Sequence, residues 1–115
     1  MLKTVPEILS QIKPNIQIIS ALDAQKKLLN ENGILVDVRE PGEFNEKSAK
    51  NAINIPRGLL EMKMLQMHPN ASLPIFIHCA TAARACFAAE QLQRVGYEKV
   101  YVVSCGLDDI CNTFE

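Results

Sequence analysis

Short unbroken apolar runs alternate along this chain with stretches in which apolar residues return every three or four positions. That alternation predicts strands interleaved with helices. Residues 4–13 set Val5, Ile8, Leu9 and Ile12 on one helical face and stop at Pro14; residues 16–19 read as a brief strand. Ser20 then caps a helix with apolar positions Ala21, Leu22, Ala24, Leu28 and Leu29, which the polar and glycine residues 30–33 end. Ile34-Leu35-Val36-Asp37-Val38 is apolar on both faces apart from Asp37, the pattern of a buried parallel strand. Pro41 and Gly42 turn the chain into a short helical turn around Glu43 and Phe44, and residues 52–55 give a short strand that Pro56 stops. Leu59, Leu60, Met64 and Leu65 mark a further helix, in which Met62, Met64 and Met67 read as packing residues. An apolar run over residues 73–78 ends at Cys79. Helical spacing follows from Ala83 to Val95, closed by Gly96. Residues 99–103 form the last strand, and Gly106 turns the chain into a short C-terminal helix.

Strands and helices in this order predict an α/β fold of three layers, with a parallel sheet covered by helices on both faces. The 115 residues suit one domain: a leading helical segment over 1–14 and a core over about 16–111. No repeat, low-complexity tract or linker interrupts it.

Composition narrows the function classes. The net charge is −1 and hydrophobic residues make up 48% of the chain, which describes a globular domain without a basic nucleic-acid surface. No apolar stretch approaches the roughly 20 residues that span a bilayer, and the first 19 residues lack the pattern of a secretion signal, so the expected compartment is the cytoplasm. The four cysteines, Cys79, Cys86, Cys105 and Cys111, form no C-x-x-C pair, and neither His68 nor His78 stands at a zinc-finger spacing from them. Neither a metal site nor a cofactor is expected, and the thiols read as catalytic, redox-sensing or buried.

Among them Cys79 is distinctive. It sits between a buried strand and a helix, where backbone N–H groups and the helix dipole favour negative charge, and the thiolate is the nucleophilic form of a thiol. Arg84, five residues on, can close a ring around an anion that the sulfur attacks or carries. A buried cysteine that merely packs is the alternative. His78 precedes the thiol and points to the other side of the strand, so it reads as an interior histidine with its hydrogen bonds met rather than as a partner in a dyad. Cys86 and Cys111 read as packing residues.

Three further segments change the picture: Asp37-Val38-Arg39-Glu40-Pro41-Gly42-Glu43-Phe44, Asn51-Ala52-Ile53-Asn54-Ile55-Pro56, and Gly96-Tyr97-Glu98-Lys99-Val100-Tyr101-Val102-Val103 leading to Gly106. With Cys-x4-Arg, in this order and spacing, they resemble the rhodanese family of sulfurtransferases over roughly residues 16–111. The resemblance implies a five-stranded parallel sheet. The strand bearing Cys79 would lie between the strand ending in the Asp-Val-Arg-Glu segment and the last strand. Arg39 and the Ser104-Cys105-Gly106 turn would flank Cys79 at the carboxyl edge, where open α/β sheets place their sites.

The implied chemistry is transfer of a sulfane sulfur from thiosulfate or another persulfide donor, through a persulfide on Cys79, to a thiol (a protein thiol included) or to cyanide. The N–H groups of Ala80, Thr81, Ala82, Ala83 and Arg84 would cradle the persulfide. Phosphatases that resemble this fold use one more residue between Cys and Arg; the shorter loop favours a small sulfur anion.

The chain also departs from the family pattern. Ala82 stands where the family has glycine, Ala80, Ala82 and Ala83 leave Thr81 and Arg84 as the loop's polar side chains, and Cys105 replaces a glycine. An alanine at φ > 0 strains the loop by about 1 kcal/mol. Cys105 reads either as an inert small residue or as a thiol that resolves the persulfide. The latter, together with the alanine-rich loop, motivates a second function, a low-turnover binding or redox-sensing module that uses Cys79 and Cys105. Arg39 is either a structural partner of Glu40 or Glu43 or a guide for anions. Asp37 reads as a buried structural acceptor.

Overall fold

A computed structural model describes all 115 residues. Thr4 opens helix α1 (Val5–Ile12) by accepting from the N–H of Glu7, and Pro14 follows in a turn of 3-10 helix. Strand β1 (Gln17–Ile19) leads to α2 (Ala21–Glu31), capped by Ser20, whose hydroxyl accepts from Asp23 N–H. Asn32 in the left-handed conformation ends α2. Gly33 then passes so close to the Pro74–Phe76 stretch that a Cβ there would lie 2.8 Å from both the Phe76 ring and the Pro74 carbonyl. Strand β2 (Ile34–Asp37), helix α3 (Pro41–Glu46), strand β3 (Ile53–Asn54), helix α4 (Leu60–Met67), strand β4 (Ile75–His78), helix α5 (Ala83–Val95), strand β5 (Val100–Val103) and helix α6 (Leu107–Thr113) complete the chain.

The five strands are all parallel, in the order β1-β5-β4-β2-β3. β4 therefore lies between β2 and β5, as the resemblance implies. Alternation of side chains along each strand divides the core in two. Val36, Ile75, Ile77, Cys79, Val100 and Val102 face α1, α4 and α5, meeting Ile12, Leu60, Met64, Ala85, Ala89 and Leu92. Leu35, Phe76, Tyr101 and Val103 face α2 and α6, meeting Ala21, Ala24 and Ile110.

Two apolar readings need correction. Met64 is buried, but Met62 and Met67 are exposed, because α4 turns only its Leu60–Met64 side to the core. In α2 the buried face is built from Ala21 and Ala24, which let the helix approach the sheet closely, and Leu22 and Leu29 face outward.

Candidate active site

The parallel sheet brings the turns that follow β2, β3, β4 and β5 to one edge. Cys79 comes directly after β4, on the α5 side of the sheet, and is 1% exposed. Its Sγ accepts a hydrogen bond from the N–H of Ala85, 3.4 Å away. Ala85 was not legible as a site residue from the loop pattern, because its N–H reaches the sulfur only once the helix has begun to wind. The N–H groups of Ala80, Thr81, Ala82, Ala83 and Arg84 donate to no other backbone group, and Ala82, at the N-cap of α5, supplies no side-chain acceptor. Ala85 thus donates to the sulfur, and the five residues before it leave their backbone donors uncommitted to other backbone groups, at the positive end of a 13-residue helix.

Ala82 holds φ 76°, and the other non-glycine residues at positive φ, Asn32 and Asn51, are of the type that tolerates it. The alanine Cβ makes that left-handed turn costly.

Arg84 does not reach freely into the mouth. Its two terminal nitrogens donate to the two carboxylate oxygens of Glu43, at 2.7 and 3.0 Å. Glu43 also accepts from the N–H of Glu40 in a capping box that starts α3. The Arg84 guanidinium, and next the Glu40 N–H, hold the Glu43 carboxyl far below its ordinary range, at about 2. The α5 loop is therefore clamped to the turn after β2.

Arg39 takes the structural place of the two open to it, with a different partner from those expected. Its guanidinium, 3% exposed, donates to both oxygens of Asp37, with the shortest contact at 2.8 Å, and to the carbonyls of Glu43 and Lys47. Asp37 also accepts from the Arg39 N–H. Asn54 fastens the same turn from β3, donating to the carbonyls of Asp37 and Arg39, which gives the Ile-Asn-Ile-Pro segment its structural purpose.

His78 is interior as expected but not satisfied: both ring nitrogens lack a hydrogen-bond partner, and Nε2 stands 3.7 Å from Asp37. Burial lowers its pKa against the opposing pull of Asp37 and of the Cys79 backbone. It faces the α2 side with Phe76, away from the thiol.

Cys105 is not brought into Cys79's environment. Its Sγ accepts from the N–H of Ala21 at 3.3 Å, beside the core on the opposite face of the sheet. Cys86 is buried with Cys79, and burial pushes its thiol pKa up; Cys111 packs beside the α2–α6 core. No group of three or more metal-ligating side chains occurs, and no helix is long and apolar enough to cross a membrane. Two surface hollows, of about 270 and 360 Å³, include none of residues 79–84 in their linings.

A family model described as a rhodanese-like domain matches residues 21–113, from the first turn of α2 to the end of α6. The chain belongs to the rhodanese-like family. Among solved structures, this rhodanese-like domain is similar to the polysulfide-sulfur transferase homodimer of Wolinella succinogenes, with 30% identity and a TM-score of 0.75 over 90% of this chain and 78% of that one. Among curated proteins it is 32% identical to the uncharacterised protein YqhL of Bacillus subtilis, over 63% of this chain and 56% of that protein. It is 28% identical to a Schizosaccharomyces pombe protein provisionally named a mitochondrial thiosulfate sulfurtransferase, over 58% and 55%. The rhodanese-like chain spans about half the length of these curated relatives.

Proposed function

We propose that this rhodanese-like domain is a sulfurtransferase with Cys79 as its sulfur carrier. The Cys79 thiolate attacks the outer sulfur of a donor. With thiosulfate, the S–S bond breaks and its electron pair leaves with sulfite; with an organic persulfide, the pair leaves with the donor's thiolate. The product in either case is a persulfide on Cys79. An acceptor thiolate, or cyanide, then attacks the outer sulfur, and the Cys79 thiolate leaves.

The observation that carries the reading is the N–H of Ala85 on Sγ beside five consecutive N–H groups, Ala80 to Arg84, that no backbone carbonyl takes up; in this reading they receive the outer sulfur. A persulfide S–S bond of about 2 Å carries the reacting atom out from the buried Sγ. Fixed donors aimed at an anion that forms during the reaction need no reorganisation as the charge arrives. The transferase name of the Wolinella structure supports the same chemistry. The redox-module reading loses the support of Cys105, whose sulfur accepts from the first turn of α2 beside the other core, and keeps only the alanine-rich loop.

The test is thiocyanate formation from cyanide with thiosulfate or an organic persulfide as donor. Cys79→Ser is expected to abolish it, and Cys105→Ser and Cys111→Ser are expected to retain it. Thiocyanate formation that survives in Cys79→Ser would overturn the assignment.

A further inference from the structure

The segment that joins β4 to α5 is held firmly at its ends and loosely between them. β4 pairs with β2 on one side and β5 on the other, and Arg84 in the first turn of α5 is fastened to Glu43. Between these anchors Ala80 and Thr81 make no hydrogen bond to another backbone group, and Thr81 is exposed. Ala82 follows at φ 76°, packed against the core that contains Cys79. Cys79 is 1% exposed, so in this conformation almost none of it meets a reagent. The strands and helices around it are locked by their own ladders, whereas a segment with few backbone hydrogen bonds opens at low cost. The thiol needs an opening, and the segment able to open carries a backbone angle that an alanine resists.

We infer that Ala82 determines acceptor specificity: by leaving the left-handed region it opens the loop at residues 80–82 and admits organic thiols too bulky to enter while the loop is closed. This rests on the sulfur-transfer reading and deepens it at a position where the chain departs from the family's glycine. Glycine takes positive φ as readily as negative φ and favours the closed loop; alanine weakens that preference. Cyanide, two atoms long, reaches the outer sulfur of a Cys79 persulfide without the opening. A thiolate on a peptide must bring its carbon chain in with it before it bonds to the outer sulfur and the Cys79 thiolate leaves. The opening is a pre-equilibrium for the thiol alone.

Single-turnover transfer from the loaded protein separates the two acceptors. Cys79 is loaded from thiosulfate or the persulfide of mercaptoethanol and freed of donor, and loss of the extra sulfur to cyanide or to glutathione is followed by intact mass. Ala82→Gly is expected to slow transfer to glutathione about fivefold, the population shift that matches the cost of a left-handed alanine, and to leave transfer to cyanide within about twofold. Ala82→Val, whose β-branched side chain tolerates positive φ least, is expected to raise the ratio of the glutathione rate to the cyanide rate. Alkylation of the unloaded thiol by iodoacetamide needs the same opening and is expected to slow in Ala82→Gly along with the glutathione rate. A glutathione rate that is unchanged or faster in Ala82→Gly, an equal fall with both acceptors, or an unchanged alkylation rate would overturn the inference. Ala82→Gly alone decides the matter if Ala82→Val does not fold. Failure of the underlying reading looks different: the parent protein would take up sulfur from neither donor, while the iodoacetamide rates still followed residue 82.

Discussion

Asp37 and Arg39, two residues apart at the end of β2, form a buried ion pair in which one carboxylate accepts three side-chain contacts from one guanidinium and a fourth from its backbone N–H. The same guanidinium reaches the carbonyls of Glu43, inside α3, and of Lys47, its C-cap. Glu43 in turn grips Arg84. A contact on the α2 side of the sheet thereby sets the position of the loop over Cys79 on the other side. Breaking a buried pair leaves an uncompensated charge, so Asp37→Asn is expected to cost about 3 kcal/mol. Asp37→Leu combined with Arg39→Met should recover part of that loss. Urea unfolding of the single and double variants checks both expectations.

Ala82 stores strain where the family has glycine. Ala82→Gly relieves a left-handed alanine and puts a better residue at the N-cap of α5, partly offset by the entropy glycine loses on folding. The expected net gain is about 0.5–1 kcal/mol in urea unfolding. Thiocyanate formation is expected to hold or rise, because the N–H groups keep their direction.

His78 makes stability depend on pH in a definite direction. Burial holds its folded-state pKa below the ordinary 6.5, with the Asp37 carboxylate and the Arg39 guanidinium as the charged neighbours and Asp37 opposing the shift. The unfolded chain therefore takes up the proton first. The contribution from the neutral buried ring is complete above 6.5 and falls away as the pH drops below it. His78→Leu removes both unpartnered nitrogens and is expected to flatten the decline in urea stability between about pH 7 and pH 5. A decline of the same slope in the variant would assign it to other groups.

Much of this architecture is legible in the sequence because its signals are local. Gly96 closes α5, Pro14 and Pro56 stop their elements, and the apolar runs over β2, β4 and β5 are continuous because those strands are covered on both faces. Contacts between distant residues are not legible in the same way. Glu43 and Arg84 lie 41 positions apart, and nothing near either residue names the other. Arg39 suggested Glu40 and Glu43 as partners by proximity. At the end of a strand, however, its side chain shares a face with Asp37, so the residue two positions back takes it. Cys105 was misleading for a related reason. Its position in the chain places it at the active-site edge, but the direction of its side chain turns the sulfur to α2.

The most direct test of Cys79 as a sulfur carrier is the mass of the intact protein after incubation with thiosulfate or with the persulfide of mercaptoethanol, followed by removal of excess donor. The parent protein should gain the mass of one sulfur atom, lose it again on addition of cyanide, and show no gain as Cys79→Ser. An unchanged parent mass with both donors in excess, or an equal gain in Cys79→Ser, would contradict the account.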